Sequence, residues 1–208
     1  MKTISLLTII AFLLVSCSYN GTIYKSGEGV NGPVTSNLYR YDAVACIVPG
    51  DNDSRIVLDS GVNNTVIDFE LSGYLQQRLK DVFSKTVVVR TEEDKANCSL
   101  FVYPKQDLSC YEEDLVYNFE MKMHNAGSRN PLYSYRTSET GSCSKSSPGF
   151  MFFSTLLFPP VIGGFLYGMN AYGKSKGNFE SAERIIKKAI DSNLSSLEKE
   201  KLAGLTNN

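Results

Sequence analysis

Leu115-Val116-Tyr117-Asn118-Phe119-Glu120-Met121-Lys122-Met123 is the stretch whose reading decides the fold class. Leu115, Tyr117, Phe119, Met121 and Met123 share one side of a two-residue period, while Asn118, Glu120 and Lys122 share the other. Successive side chains of a strand point to opposite faces, so this alternation predicts a half-buried β-strand. The turn sequence Asn125-Ala126-Gly127-Ser128 follows. Leu132 to Thr137 then returns, with Tyr133 and Tyr135 alternating against Leu132, Ser134 and Arg136. The pair reads as an antiparallel hairpin.

Upstream of it, Tyr41 to Val48 reads as a strand closed by Pro49-Gly50. The polar residues Asp51, Asn52 and Asp53 follow. A calcium loop there would need glycine at its sixth position and glutamate at its twelfth, where Ile56 and Val62 stand. A helix is predicted from about Val66 to Phe83, with Leu71, Leu75, Leu79, Val82 and Phe83 as one apolar stripe. Thr86 to Arg90 is a short β-branched strand. The polar turn Glu92–Asn97 leads into a strand over Cys98–Tyr103, ended by Pro104. Downstream, Asn178 is a good helix N-cap, and Ala182, Ile185, Ile186, Ala189 and Ile190 stripe a final helix running to Leu202. This order predicts an α+β fold: a two-layer mixed sheet with two helices on one face and an apolar insertion before the last helix.

The N-terminus carries an address. Met1-Lys2-Thr3 precedes an apolar run from Ile4 to Val15, broken only by Ser5 and Thr8. Such a run has the form of a secretory signal. As a helix it spans about 18 Å, too short for a hydrocarbon core of about 30 Å. It ends in Leu14-Val15-Ser16-Cys17. These four residues resemble the lipobox of bacterial lipoproteins. The resemblance implies diacylglycerol on the Cys17 sulfur, cleavage after Ser16 and a membrane-held mature chain. Ser18, the residue after the cysteine, is not the aspartate that retains such lipoproteins in the inner membrane. By resemblance it implies an outer-membrane location facing the periplasm.

The expected division is therefore a signal peptide over 1–16, a lipidated flexible tether over 17–40, an α+β domain over 41–145 and 174–203, and a hydrophobic membrane-interacting insertion over 146–173. Residues 18–40 read as tether because they are rich in Ser, Asn, Gly and Tyr with little apolar periodicity. The GxGxxG run Gly27–Gly32 inside it follows a segment that reads as tether and is followed by Pro33, so it reads as chance. The 21 basic and 22 acidic residues nearly balance, which suggests no nucleic-acid partner.

From Ser146 to Gly173 no residue is charged, with Lys145 and Lys174 as brackets. Pro159-Pro160 argues against one straight spanning helix, because proline removes a backbone donor and clashes with the preceding turn. A hairpin or re-entrant loop fits the composition better. Phe150, Phe152, Phe153, Leu156, Phe158 and Phe165 are the candidate contacts with the bilayer or a membrane-protein partner. A buried core hairpin and a true span are the competing readings.

Besides Cys17, four cysteines remain: Cys46, Cys98, Cys110 and Cys143. An even number in an exported chain suggests disulfides. If the strands around Gly127 form the hairpin above, its register places Cys143 opposite position 112, beside Cys110, within bridging reach. Cys46 and Cys98 would pair if their strands are sheet neighbours; otherwise they read as buried thiols.

No motif of chemistry emerges, and neither a cofactor nor a metal site is expected. CxxC and HExxH are absent, and His124 is the only histidine. The element order over about residues 41–145 and 178–203 resembles small envelope lipoprotein domains. Examples are lipopolysaccharide-assembly lipoproteins, the N-terminal domain of the Tol-system propeller protein and auxiliary lipoproteins of export machines. That resemblance implies docking and not catalysis, so the chain reads as a non-enzymatic accessory component of an envelope assembly or transport system. The alternatives are a lipid or small-molecule carrier, with the apolar loop as lid, and an envelope-polymer hydrolase using carboxylates such as Glu112, Glu113 and Asp114.

Overall fold

The computed structural model describes residues 19–28, 30, 40–59, 64–145, 160–200 and 202. Among the described residues, eight strands and two α-helices make an α+β fold with two sheets. The strands are β1 (Tyr19–Tyr24), β2 (Tyr41–Ile47), β3 (Arg55–Asp59), β4 (Asn64–Phe69), β5 (Phe83–Val88), β6 (Leu100–Tyr111), β7 (Asp114–Asn125) and β8 (Tyr133–Ser142). The helices are α1 (Leu71–Leu79) and α2 (Pro160–Lys199), and a 3-10 turn covers Glu93–Asn97. The sheet orders are β1-β4-β3 and β5-β2-β6-β7-β8.

β7 is the alternating stretch, and Leu115, Tyr117, Phe119, Met121 and Met123 are fully buried. They face both helices. Ile185, Ile186, Ala189 and Ile190 of α2 and Leu71, Leu75 and Leu79 of α1 join them in one core. Arg78 of α1 bonds Asp191 of α2 at 2.9 Å, so the helices lie side by side on that face. Buried hydroxyls tie β8 to α2: Tyr133 Oη donates to the Asn193 carbonyl at 2.9 Å and Thr137 Oγ1 to the Ala189 carbonyl at 3.1 Å.

Several expected boundaries differ. The helix expected from Val66 begins at Leu71, because Thr65, Ile67 and Phe69 are buried at period two and form β4. β-branched residues fit a pleated surface better than a helix. Its far end is also shorter, since Phe83 opens β5. The strand expected to stop at Pro104 continues to Tyr111. The Val102 carbonyl accepts from Val48 N, so the equivalent backbone groups two residues on also face β2. β2 has ended there, and the missing proline N–H costs no ladder bond.

The tether expected over 17–40 contains a strand. β1 starts at Tyr19 and runs parallel to β4, with Tyr19 opposite Thr65. Gly21 lets β1 approach α2, because a Cβ at that position would lie 2.2 Å from Phe179 Cε2. Local composition reads as linker, but the partner strand supplies the hydrogen bonds.

The final helix does not begin at Asn178. It begins at Pro160, whose fixed φ and missing N–H suit a first helical position. Asn178 is instead buried within the helix and clamps the chain after β8. It accepts from Ser144 N at 2.8 Å and donates to the Ser144 carbonyl at 3.1 Å. The hairpin or re-entrant reading is therefore corrected from Pro160 onward, where the chain is one helix of 40 residues. Residues 146–159 lie outside the described residues.

Both disulfides are present. Cys46–Cys98 joins β2 to the chain entering β6, with 5.7 Å between Cα atoms, and β2 and β6 are parallel neighbours. Cys110–Cys143 has a Cα separation of 6.0 Å. Its register is one residue from the expected one: Asp114 pairs with Ser142, and Cys143 N donates to the Glu113 carbonyl at 2.8 Å. Cys143 thus passes the end of β7 and reaches β6, two strands away.

Candidate membrane and docking surface

α2 has two different faces along its first third. Tyr167, Ala171 and Ser175 are buried at helical spacing. At Ser175 this face meets β4, where Thr65 Oγ1 donates to the Ser175 carbonyl at 3.3 Å. Around the helix from them, Ile162, Leu166, Met169 and Tyr172 are exposed by 49%, 38%, 59% and 47%. Successive intervals of four, three and three residues put them on one side. Beyond Gly173 the exposed surface turns charged, with Lys176 3.8 Å from Glu180 and Lys187 2.7 Å from Glu183. The apolar exposure thus ends abruptly. Lys174 lies at this boundary and donates from Nζ to the Lys145 carbonyl at 3.0 Å, bringing the two bracketing lysines together.

The N-terminal strand meets the same boundary. The ring of Tyr19 lies 5.5 Å from Tyr172, edge-on, and 5.4 Å from Phe179. Cys17 itself lies outside the described residues. Of the expected contacts, Phe150, Phe152, Phe153, Leu156 and Phe158 also lie outside them. Phe165 falls on α2, but its side chain is not among those described. Ile162, Leu166, Met169 and Tyr172 were not singled out from sequence. Their spacing was available there, but Pro159-Pro160 pointed away from a helix. Among the described residues, no helix is long and apolar enough to cross a membrane.

The carboxylates considered for hydrolysis sit elsewhere. Glu112 and Glu113 make the two-residue turn between Tyr111 and Asp114, all four exposed. Glu112 has φ of 54°, in the left-handed region that disfavours side chains with a Cβ. Glu112→Gly should relieve this strain and raise stability by about 0.5–1 kcal/mol after glycine's extra unfolded-state freedom is counted. A urea titration checks it, and a lower midpoint would show that the Glu112 side chain makes a stabilising contact. Asp53 lines a depression of about 300 Å³ with Asn52, Pro104 and Gln106. Burial raises its carboxyl above the ordinary range, against the bonds it accepts from Ser72 N and Ser72 Oγ. Those bonds secure the start of α1, so the group is structurally committed.

His124 pairs with Phe101 near the end of β7 and meets the Tyr103 ring at 5.6 Å, on the sheet face away from the helices. Burial drives the hydroxyls of Tyr117 and Tyr133 well above the ordinary tyrosine range. Tyr117 donates to Gln106 Oε1 at 3.0 Å within the core. Among the described residues, no group of three or more His, Cys, Asp or Glu is placed to hold a metal ion.

No protein-family model matches the chain, nor does any curated protein. Among solved structures, it is similar to a hypothetical protein of Chlamydia trachomatis at 6% identity and a TM-score of 0.38. That alignment covers 76% of this chain and 96% of the other. A Xanthomonas campestris protein of the DUF330 family aligns at 9% identity and a TM-score of 0.32, covering 88% and 99%. Likenesses this low assign no role to the chain.

Proposed function

We propose that this chain is a non-enzymatic lipoprotein of the bacterial cell envelope, acylated on Cys17 and held at the outer membrane facing the periplasm. It serves as an accessory or docking component of an envelope assembly or transport system. The observation that supports this best is how the cysteines divide. The chain has five, and the two disulfides use Cys46, Cys98, Cys110 and Cys143. Disulfides persist in oxidising compartments outside the cytoplasm. The remaining cysteine is the one that ends the lipobox-like Leu14-Val15-Ser16-Cys17. Two or more acyl chains hold a protein stably at a membrane, whereas one is marginal.

Intact-mass analysis of protein from native membranes tests the reading. A mature chain beginning at Cys17 and carrying diacylglycerol is expected, and Cys17→Ser should leave the protein unprocessed or unanchored. A mature N-terminus elsewhere with an unmodified Cys17 would end the proposal. A bound lipid that co-purifies in stoichiometric amount, with no protein partner, would favour the carrier reading.

A further inference from the structure

Resting on that reading, we infer that the N-terminal end of α2 enters the same leaflet as the acyl chains of Cys17, with Tyr19 and Tyr172 at the headgroup boundary. The occupant of the exposed apolar stripe is the lipid bilayer. Three observations converge on this. Ile162, Leu166, Met169 and Tyr172 are exposed along one side of α2. From Ile162 to Tyr172 the helix rises about 15 Å, half of a hydrocarbon core of about 30 Å. That suits entry into one leaflet and not a crossing.

The second observation is where the stripe stops. Tyr172 is followed by Lys174 and Lys176, which is the order of groups found at a membrane interface: apolar, then tyrosine, then cation. The third is the anchor. β1 begins at Tyr19, two residues after Cys17 in sequence. Tyr19 in turn packs on Tyr172. The end of the stripe thus packs on a residue only two positions along the chain from the anchor. A 24-residue flexible tether would have left the domain free to sit anywhere above the membrane; a strand starting two residues from the lipid does not. The consequence for function is that a partner of this protein works at the surface of the membrane that holds it.

The chain has no tryptophan, which makes a single-tryptophan probe clean. Mature acylated protein carrying Met169→Trp, and separately Lys187→Trp, is reconstituted into phosphatidylethanolamine–phosphatidylglycerol vesicles with brominated acyl chains. Acylation is first verified by mass. Tryptophan at 169 should emit to the blue and be quenched by bromine, while tryptophan at 187 should match its emission in bromine-free vesicles. If the acylated protein floats with the vesicles and position 169 is unquenched, the leaflet entry is wrong and the lipoprotein reading survives. Quenching at both positions would also overturn it, since α2 would then lie flat. If Cys17 carries no lipid, both readings fall together.

Discussion

Replacing Cys46 and Cys98 together by alanine is expected to lower the free energy of unfolding by about 4 kcal/mol, from the loop entropy released by a bridge of this span. The two residues are 52 apart in sequence, and Cys46 is fully buried beneath Val44, Val87 and Phe101. The bridge closes a long loop that contains β3, β4, α1 and β5, so opening it frees a large part of the unfolded chain. Alanine is the right replacement, because serine would bury a hydroxyl at a site packed by apolar groups. The loss is read as the drop in urea midpoint, with the slope held fixed to show that two-state behaviour is kept. Wild-type protein in reductant should fall at least as far, since it also loses Cys110–Cys143, whose cysteines are 33 apart in sequence. An unchanged midpoint in the double alanine variant would mean that β2 and β6 are held together without the bridge.

Gly21→Ala should cost up to about 3 kcal/mol, the upper end of what overpacking does. The added methyl would stand 2.2 Å from Phe179 Cε2, and that ring is itself buried against β1. Relief requires the buried Phe179 ring to turn aside, β1 to lift or α2 to shift. This variant decides between a tether and a strand: a methyl group in a flexible linker would be silent. Phe179→Leu on top of Gly21→Ala should restore part of the loss, because the smaller side chain vacates the collision. Thermal unfolding of the four proteins of this cycle gives the coupling. Additive effects would mean that residue 21 and Phe179 do not touch.

Sequence alone determined the elements whose evidence is periodic and local. β7 was legible because apolar residues recur at every second position from Leu115 to Met123, and the central part of α1 because Leu71, Leu75 and Leu79 recur at helical spacing. The stripe from Ala182 to Ile190 located the buried half of α2. The pairing of Cys110 with Cys143 was legible too, since a hairpin register is set by its turn. Tertiary structure alone decided the rest. Tyr19–Tyr24 has no pattern of its own and becomes a strand because β4, more than 40 residues on, offers it a parallel edge. Asn178 has the chemistry of a cap, and only the position of Ser144 turns it into a clamp within a helix. Pro104 ends a strand in any local reading and is harmless here because β2 has stopped on that side. The placement of Tyr19 against Tyr172, which joins the anchor to the apolar stripe, depends on contacts between residues 153 positions apart in sequence. Such contacts are chosen by packing of distant segments, and no window along the chain contains them.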